Sequence, residues 1–307
     1  MSFPPPNTYY WAGLRIVSEI ALPSLMACAD QIGSSVSIRR ARLPETLSSV
    51  TAVFPEGQCN ENELLFNIPD VARYLIRSGS EVLVDQAANS NLGDVAAYLL
   101  GTAFGVLCHQ RGTYPLHGSA IDIVDGCVAF VGDSGAGKST LVAALASRGH
   151  QVISDDLCVF EAGEQGVRVW PGLNRLRLWE DALAALDCDQ PGIERELRGL
   201  NKYLVPTQPI RNPQNPRRLQ RVYQLAAAAD GDPTTITRLQ GAATVEVLMQ
   251  NIYRVAMAER MGRKANLFVT CAAAAREVPV YRFSRPLGFQ ILPDVLKVLE
   301  EHLNELR

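Results

Sequence analysis

One stretch restricts the fold more than any other part of the chain: CVAFVGDSGAGKSTLVAALASRG, residues 127–149. Its first six residues read as a buried strand, the glycine-rich segment as a loop, and the Ala/Leu-rich remainder as a helix stopped by Gly149. QVISDD (151–156) reads as the next strand. Strand, loop, helix and strand make one βαβ unit. It commits this part of the chain to an α/β sheet, with the carboxylates of Asp155 and Asp156 at the carboxyl end of a parallel strand, where such sheets place ligands.

The loop residues Gly132, Asp133, Ser134, Gly135, Ala136, Gly137, Lys138 and Ser139 fit the pattern G-x-x-x-x-G-K-[ST]. Glycines permit positive φ, so backbone N–H groups can close around phosphate oxygens. The helix that follows adds unpaired N–H groups and its positive dipole end. Lys138 is placed to reach β- and γ-phosphates, and the Ser139 hydroxyl to ligate Mg²⁺. The strand before and the helix after meet the context the motif demands, so a glycine turn with a surface lysine is a poor competitor. Thr140 opens the helix beside the same phosphates.

One carboxylate of Asp155 and Asp156 suits Mg²⁺, and the other suits acceptance of a proton from an attacking hydroxyl. A helix cap or turn is the structural alternative for this pair. His117 in PLHGSAI has no motif of its own, and a lone histidine is more often a packed residue than a catalyst.

The surrounding composition bounds what else the chain does. With 307 residues and 47% hydrophobic content it builds its core without metal or disulfide. A net charge of −3 gives no drive toward nucleic acid or anionic lipid. Seven cysteines without a C-x-x-C pair, and four scattered histidines, read as buried thiols and not as a metal cluster. The start, MSFPPPNTYYWAG, lacks the layout of a signal peptide, and no uninterrupted apolar run is long enough to span a bilayer. The expectation is a cytoplasmic protein with no membrane or nucleic-acid partner.

Residues 1–90 read as a small, mostly β domain, with strands at LRIVSEIAL, SVSIRR, AVF, LLFNI and EVLVD and a strand pair closed near Ser78-Gly79-Ser80. Residues 89–112 read as one helix and as the hinge to a second domain, 91–307. SAIDIVDG and CVAFVG meet at Asp125-Gly126 as a hairpin. Further on, VRVW, LRLW and VPVYRFSRP read as strands, and NPQNPRRLQRVYQL (212–225) as a Pro/Asn loop passing into a strand. EDALAAL, the whole of 243–262 and the C-terminus from Pro293 read as helices, with Arg254, Arg260 and Arg263 on one helix surface.

From His117-Gly118 through Gly132–Ser139 and Arg148-Gly149-His150 to Asp155-Asp156, the chain resembles the HPr kinase/phosphorylase-like P-loop serine kinases. The resemblance implies a P-loop kinase domain of the phosphoenolpyruvate carboxykinase-related type, Mg-ATP as donor and a serine hydroxyl as acceptor. It implies the residue matching Asp155 as base, that matching Asp156 near Mg²⁺, and that matching His117 beside the transferred phosphate. Two departures separate this chain from the bifunctional enzymes: Thr140 stands where they carry Glu, and PGLNRLRLWEDALAAL (171–186) replaces their Arg-Gly-x-Gly-Ile segment. The remainder is more similar to the kinases encoded with lasso-peptide clusters, which implies a peptide or small-protein acceptor. The family is often homo-oligomeric. A bifunctional kinase/phosphorylase and a nucleotide-sensing module without transfer are the alternatives.

Three further residues are candidates for phosphate or acceptor contact: Arg175, Arg177 and Lys202. Alternation in NRLRLW fits a half-solvated strand equally well. Arg211, Arg217, Arg218 and Arg221 read either as a receiver for an acidic peptide or as a solvated edge.

Overall fold

The computed structural model describes residues 7–28, 34–197, 200–229 and 231–305; the opening MSFPPP lies outside these. The chain is a mixed α/β protein with two large sheets.

The first sheet collects the N-terminal strands β1 (Asn7–Trp11), β2 (Leu14–Ser18), β3 (Met26–Ala27), β4 (Ser34–Arg40), β5 (Ala52–Phe54), β6 (Gly57–Cys59), β7 (Glu63–Ile68), β8 (Ala72–Arg77) and β9 (Glu81–Gln86). Their order is β3-β1-β2-β4-β9-β8-β7-β6-β5. The β8–β9 hairpin turns at Ser78-Gly79, both at positive φ (48° and 62°). β1 buries Tyr9 and Trp11 on one face, and β3 is only two residues long.

The expected helix over 89–112 is shorter and interrupted. It comprises α1 (Leu92–Tyr98), a π-helical turn (Leu99–Ala103) and α2 (Phe104–Gln110). Asn91 caps it, its Oδ1 accepting from the Asp94 N–H at 2.8 Å. The extra residue per turn falls where Tyr253 presses on the helix: a Cβ on Gly101 would stand 3.2 Å from the tyrosine oxygen, and one on Gly105 2.7 Å from its ring. By length and composition alone this stretch could cross a membrane. Here Val95, Leu99, Leu100, Phe104 and Leu107 are buried in the protein's own core, with Phe104 4.5 Å from Trp11 between ring centroids. That core continues into Leu157, Val159 and Leu173, so it spans the expected boundary near residue 90.

The second sheet uses β10 (Tyr114–Leu116), β11 (Gly118–Ile123), β12 (Gly126–Val131), then after α3 (Lys138–Ser147) β13 (Val152–Ser154), β14 (Cys158–Gly163) and β15 (Gly166–Val169). Next come β16 (Arg175–Trp179), α4 (Glu180–Ala185), β17 (Glu194–Arg195), β18 (Lys202–Pro206), β19 (Arg217–Ala227) and β20 (Thr235–Arg238). The chain ends through α5 (Ala242–Gln250), α6 (Val255–Arg260), α7 (Lys264–Glu277), β21 (Val280–Arg285) and α8 (Leu292–Asn304). The strand order is β10-β14-β15-β19-β12-β11-β13, with β21 on β19 and β20 on β21. β16, β18 and β17 form a separate small sheet.

The pleat sorts β12 by face. Val128 and Phe130 pack against Leu141 and Leu145 of α3 and Leu296 and Leu299 of α8. Cys127, Ala129 and Val131 face Val247 of α5 and Leu267 and Cys271 of α7. The result is a helix–sheet–helix sandwich. One expectation needs correction: β13 does not pair with a parallel neighbour. It hydrogen-bonds antiparallel to β11, which is itself antiparallel to β12. β12 and β13 therefore still run the same way, one strand apart, and their carboxyl ends emerge on the same edge.

Candidate active site

That edge gathers the glycine loop and the acidic pair into one cleft. Gly132, Gly135 and Gly137 take φ of 142°, 85° and 80°, and the last is the residue from which α3 starts. Side-chain-bearing residues are strained there. Lys138 is 7% exposed, and its ammonium donates to the carbonyls of Gly132 (2.8 Å) and Asp133 (3.0 Å). It is thus folded over the loop it belongs to. Burial lowers its pKa from the ordinary lysine value, against the pull of Asp155 and Asp156.

The two carboxylates have different surroundings. Asp155, 3% exposed, is saturated: its Oδ1 accepts from Ser139 Oγ (2.9 Å) and Ser119 Oγ (2.5 Å), and its Oδ2 from the Arg177 N–H (2.8 Å). Asp156 sits at φ 68°, a left-handed conformation that aspartate tolerates. This turns its carboxylate toward His117, 3.4 Å from Nδ1, and into an ion pair with the Arg177 guanidinium. Burial pushes the Asp156 pKa up, but Arg177, His117 and Lys202 outweigh it and hold the carboxyl below its usual value. For His117 burial dominates and lowers the pKa, against the pull of Asp156. The close approach that shapes this turn is Gly172, where a Cβ would fall 2.2 Å from Ser154 Oγ.

Of the expected site residues, His117, Ser134, Gly135, Gly137, Lys138, Ser139, Thr140, Asp155, Asp156, Arg177 and Lys202 line this one cleft. Gly132, Asp133 and Ala136 shape the loop from behind. Arg175 does not reach it: the guanidinium is buried and bonds Ser24 Oγ at 2.9 Å, tying the small sheet to the N-terminal part. Burial lowers its pKa to about 10. Lys202 stands with its ammonium 5.5 Å from the centre of the Trp179 ring. Arg217 pairs with Asp122 and bonds loop carbonyls, and Arg221 bonds the His302 carbonyl; neither belongs to the cleft.

The expected helix over 243–262 is broken, and the break supplies the site. α5 ends at Gln250 and α6 begins at Val255, with Arg254 at φ 53° between them. Arg254, Arg260 and Arg263 accordingly do not share one helix. At the break, Asn251 Oδ1 accepts from the Gly132 N–H (2.8 Å), and its backbone carbonyl accepts from the His117 N–H (2.7 Å). Its amide also donates to the Val247 carbonyl (2.8 Å). The Tyr253 ring lies 5.9 Å from that of His117. Glu196 is the second residue with no sequence signal. It is 5% exposed and pairs with Arg177 at 2.5 Å, so the guanidinium bridges Glu196 and Asp156. Burial opposes the Arg177 charge, and those two carboxylates raise its pKa regardless.

Among the described residues no cluster of three His, Cys, Asp or Glu side chains could hold a metal. The donor set fits Mg²⁺ brought in by a nucleotide, which binds through one hydroxyl or carboxylate plus substrate phosphates and needs no all-protein cage. No protein-family model matches the sequence, and no curated protein matches it. Among solved structures the chain is similar to the Hpr(Ser) kinase/phosphatase from Coxiella burnetii, at 13% identity and a TM-score of 0.33, over 62% of this chain and 92% of that one. A likeness at that level carries no argument about what the cleft does.

Proposed function

We propose that the chain is a nucleoside-triphosphate-dependent kinase that phosphorylates a serine hydroxyl of a peptide or small protein, with Mg-ATP as a donor. The observation that carries this is the division of labour between the two carboxylates. Asp155 is bonded to the Ser139 hydroxyl, the pairing that holds a nucleotide's metal in a glycine-lysine-serine loop. Asp156 is turned away from Ser139 and faces His117 and the cleft. On this reading Asp155 takes the Mg²⁺ position and Asp156 the base, the reverse of the roles that the family resemblance implies.

Bound Mg²⁺ supplies charge neutralisation at the transferred phosphate. Lys138, released from the loop carbonyls, donates to the phosphate oxygens. Asp156, held ionised by Arg177, accepts the serine proton as the serine oxygen forms its bond to phosphorus and the bond to the leaving diphosphate breaks. His117 faces Asp156 from the other side, with Nδ1 3.4 Å from the carboxylate. Arg177 holds Asp156 by charge and Asp155 by its backbone N–H, so both carboxylates are fixed relative to one strand, β16.

The acceptor class rests on the resemblance to peptide-tailoring kinases; a ribosomal precursor peptide of the lasso type is the narrower proposal. The test is diphosphate release with paired peptides that differ only by serine or alanine. Serine-dependent release that Lys138→Ala abolishes supports the reading. Equal release with both peptides contradicts it.

A further inference from the structure

The cleft has two walls, and the sheet order separates them. β11 and β13 lie on one side of β12, and β19 and β21 on the other. Asp155 and Asp156 follow β13, so the carboxylates, His117 and Arg177 occupy the first wall. The second is the connection from β21 to α8. Arg285, at the end of β21, donates through Nη2 to the Ala136 carbonyl at 2.8 Å. A Cβ on Gly137 would come within 2.6 Å of the same nitrogen. The connection is therefore pinned to the outer turn of the glycine loop.

Beyond that pin, Leu287 (59% exposed) and Phe289 (38% exposed) stand in the cleft, separated by Gly288 at φ 137°. Neither has a part in holding phosphate. A triphosphate seated in the loop with its terminal phosphate toward Asp156 leaves the loop at its other end, on the side away from the carboxylates. That side is the one Leu287 and Phe289 line.

We propose that Leu287 and Phe289 form a stacking platform for the nucleobase of the donor, and that the platform reads the base by its face and not by its hydrogen-bonding edge. The site then takes ATP and GTP with similar affinity. Stacking is open to every base because each has a π-face. Strong discrimination requires polar groups that an incorrect base would leave unpaired, and these two side chains present only hydrocarbon. The inference rests on the triphosphate reading of the loop, and its test separates the two.

Binding of ATP, GTP and inorganic tripolyphosphate, each with Mg²⁺, is measured by calorimetry for the wild type, Phe289→Ala, Leu287→Ala and Trp179→Ala. Trp179 is the control, since it lies on β16 with Arg177. The expected result is ATP and GTP affinities within about tenfold of each other. Phe289→Ala weakens both about tenfold, in keeping with the loss of one stacking partner, and leaves tripolyphosphate unchanged. If Phe289→Ala weakens tripolyphosphate equally, its effect is damage to the loop and the platform is overturned. If Trp179→Ala weakens the nucleotides and Phe289→Ala does not, the base lies on the opposite wall and the proposal is likewise overturned. Wild type that binds tripolyphosphate no worse than ATP overturns the platform alone. Wild type that binds neither overturns the triphosphate reading with it.

Discussion

At the scale of single residues, Asp155 and Asp156 are adjacent in sequence but differ in every contact. Asp155→Asn removes the negative charge beside the Ser139 and Ser119 hydroxyls and turns one of the two acceptor oxygens into a donor. Its expected effect is weaker Mg-nucleotide binding and weaker transfer together. Asp156→Asn leaves that bonding intact and removes the base. Transfer falls about 10²- to 10⁴-fold, the usual share of a general base, while nucleotide affinity changes little. A titration and a rate for each variant separate the two roles.

His109 gives a prediction for stability. Burial lowers its pKa to about 4 from a usual 6.5, with Nε2 2.8 Å from the Tyr253 carbonyl oxygen. The unfolded chain binds this proton more readily than the folded one, so stability is complete above about pH 6.5 and falls as the pH drops toward 4. Between pH 6.5 and 5 the loss from this residue is about 2 kcal/mol. Burial shifts His117 and His302 the same way, so they add to it. Urea midpoints at pH 7, 6 and 5 measure the slope, and His109→Gln should flatten it. The glycine loop was legible because its chemistry is local: eight consecutive residues state the whole requirement. The partition between the two aspartates was not, because it depends on a positive φ at Asp156 and on Arg177 arriving from another strand.

At the scale of elements, periodicity finds helices and strands but cannot see where tertiary contacts interrupt them. The stretch 243–262 keeps helical spacing throughout, and yet it breaks at Asn251–Arg254 because the backbone and side chain of Asn251 are hydrogen-bonded to His117 and Gly132. Asn251→Ala leaves the buried Gly132 N–H without its acceptor. That costs about 1–3 kcal/mol and raises the KM for nucleotide more than it lowers kcat. Asn251→Asp keeps an acceptor for the Gly132 N–H but sets a carboxylate oxygen against the Val247 carbonyl and adds negative charge beside the phosphate loop, so it should not recover the affinity. The LRLW segment shows the complementary limit. Alternation correctly placed a strand and put Arg175 and Arg177 on one face. Only the packing of β16 sends the first to Ser24 and the second to Asp156.

At the scale of the whole molecule, the N-terminal sheet and the P-loop sheet are read from sequence as separate units because their patterns change near residue 90. The core does not change there. Trp11, Ile16 and Val36 from the first sheet share one apolar cluster with Leu100 and Phe104 of the connecting helix and with Val159 and Leu173 beyond it. The account therefore predicts a single cooperative unfolding transition in which nucleotide binding and the near-ultraviolet signal of the N-terminal aromatics are lost together. Phe104→Ala should move that one transition by about 3–5 kcal/mol. Two resolved transitions would contradict a shared core.

Phosphoryl transfer to a serine hydroxyl is read out by intact mass. Serine-containing peptides, first any encoded beside this gene, are incubated with Mg-ATP and the wild-type, Lys138→Ala or Asp156→Asn protein. The expected result is the mass of one added phosphate on the serine peptide with the wild type, none with Lys138→Ala, and an appearance about 10²- to 10⁴-fold slower with Asp156→Asn. Binding of nucleotide with no added mass on any serine peptide, or added mass that appears with Asp156→Asn as fast as with the wild type, would contradict serine phosphorylation with Asp156 as the base.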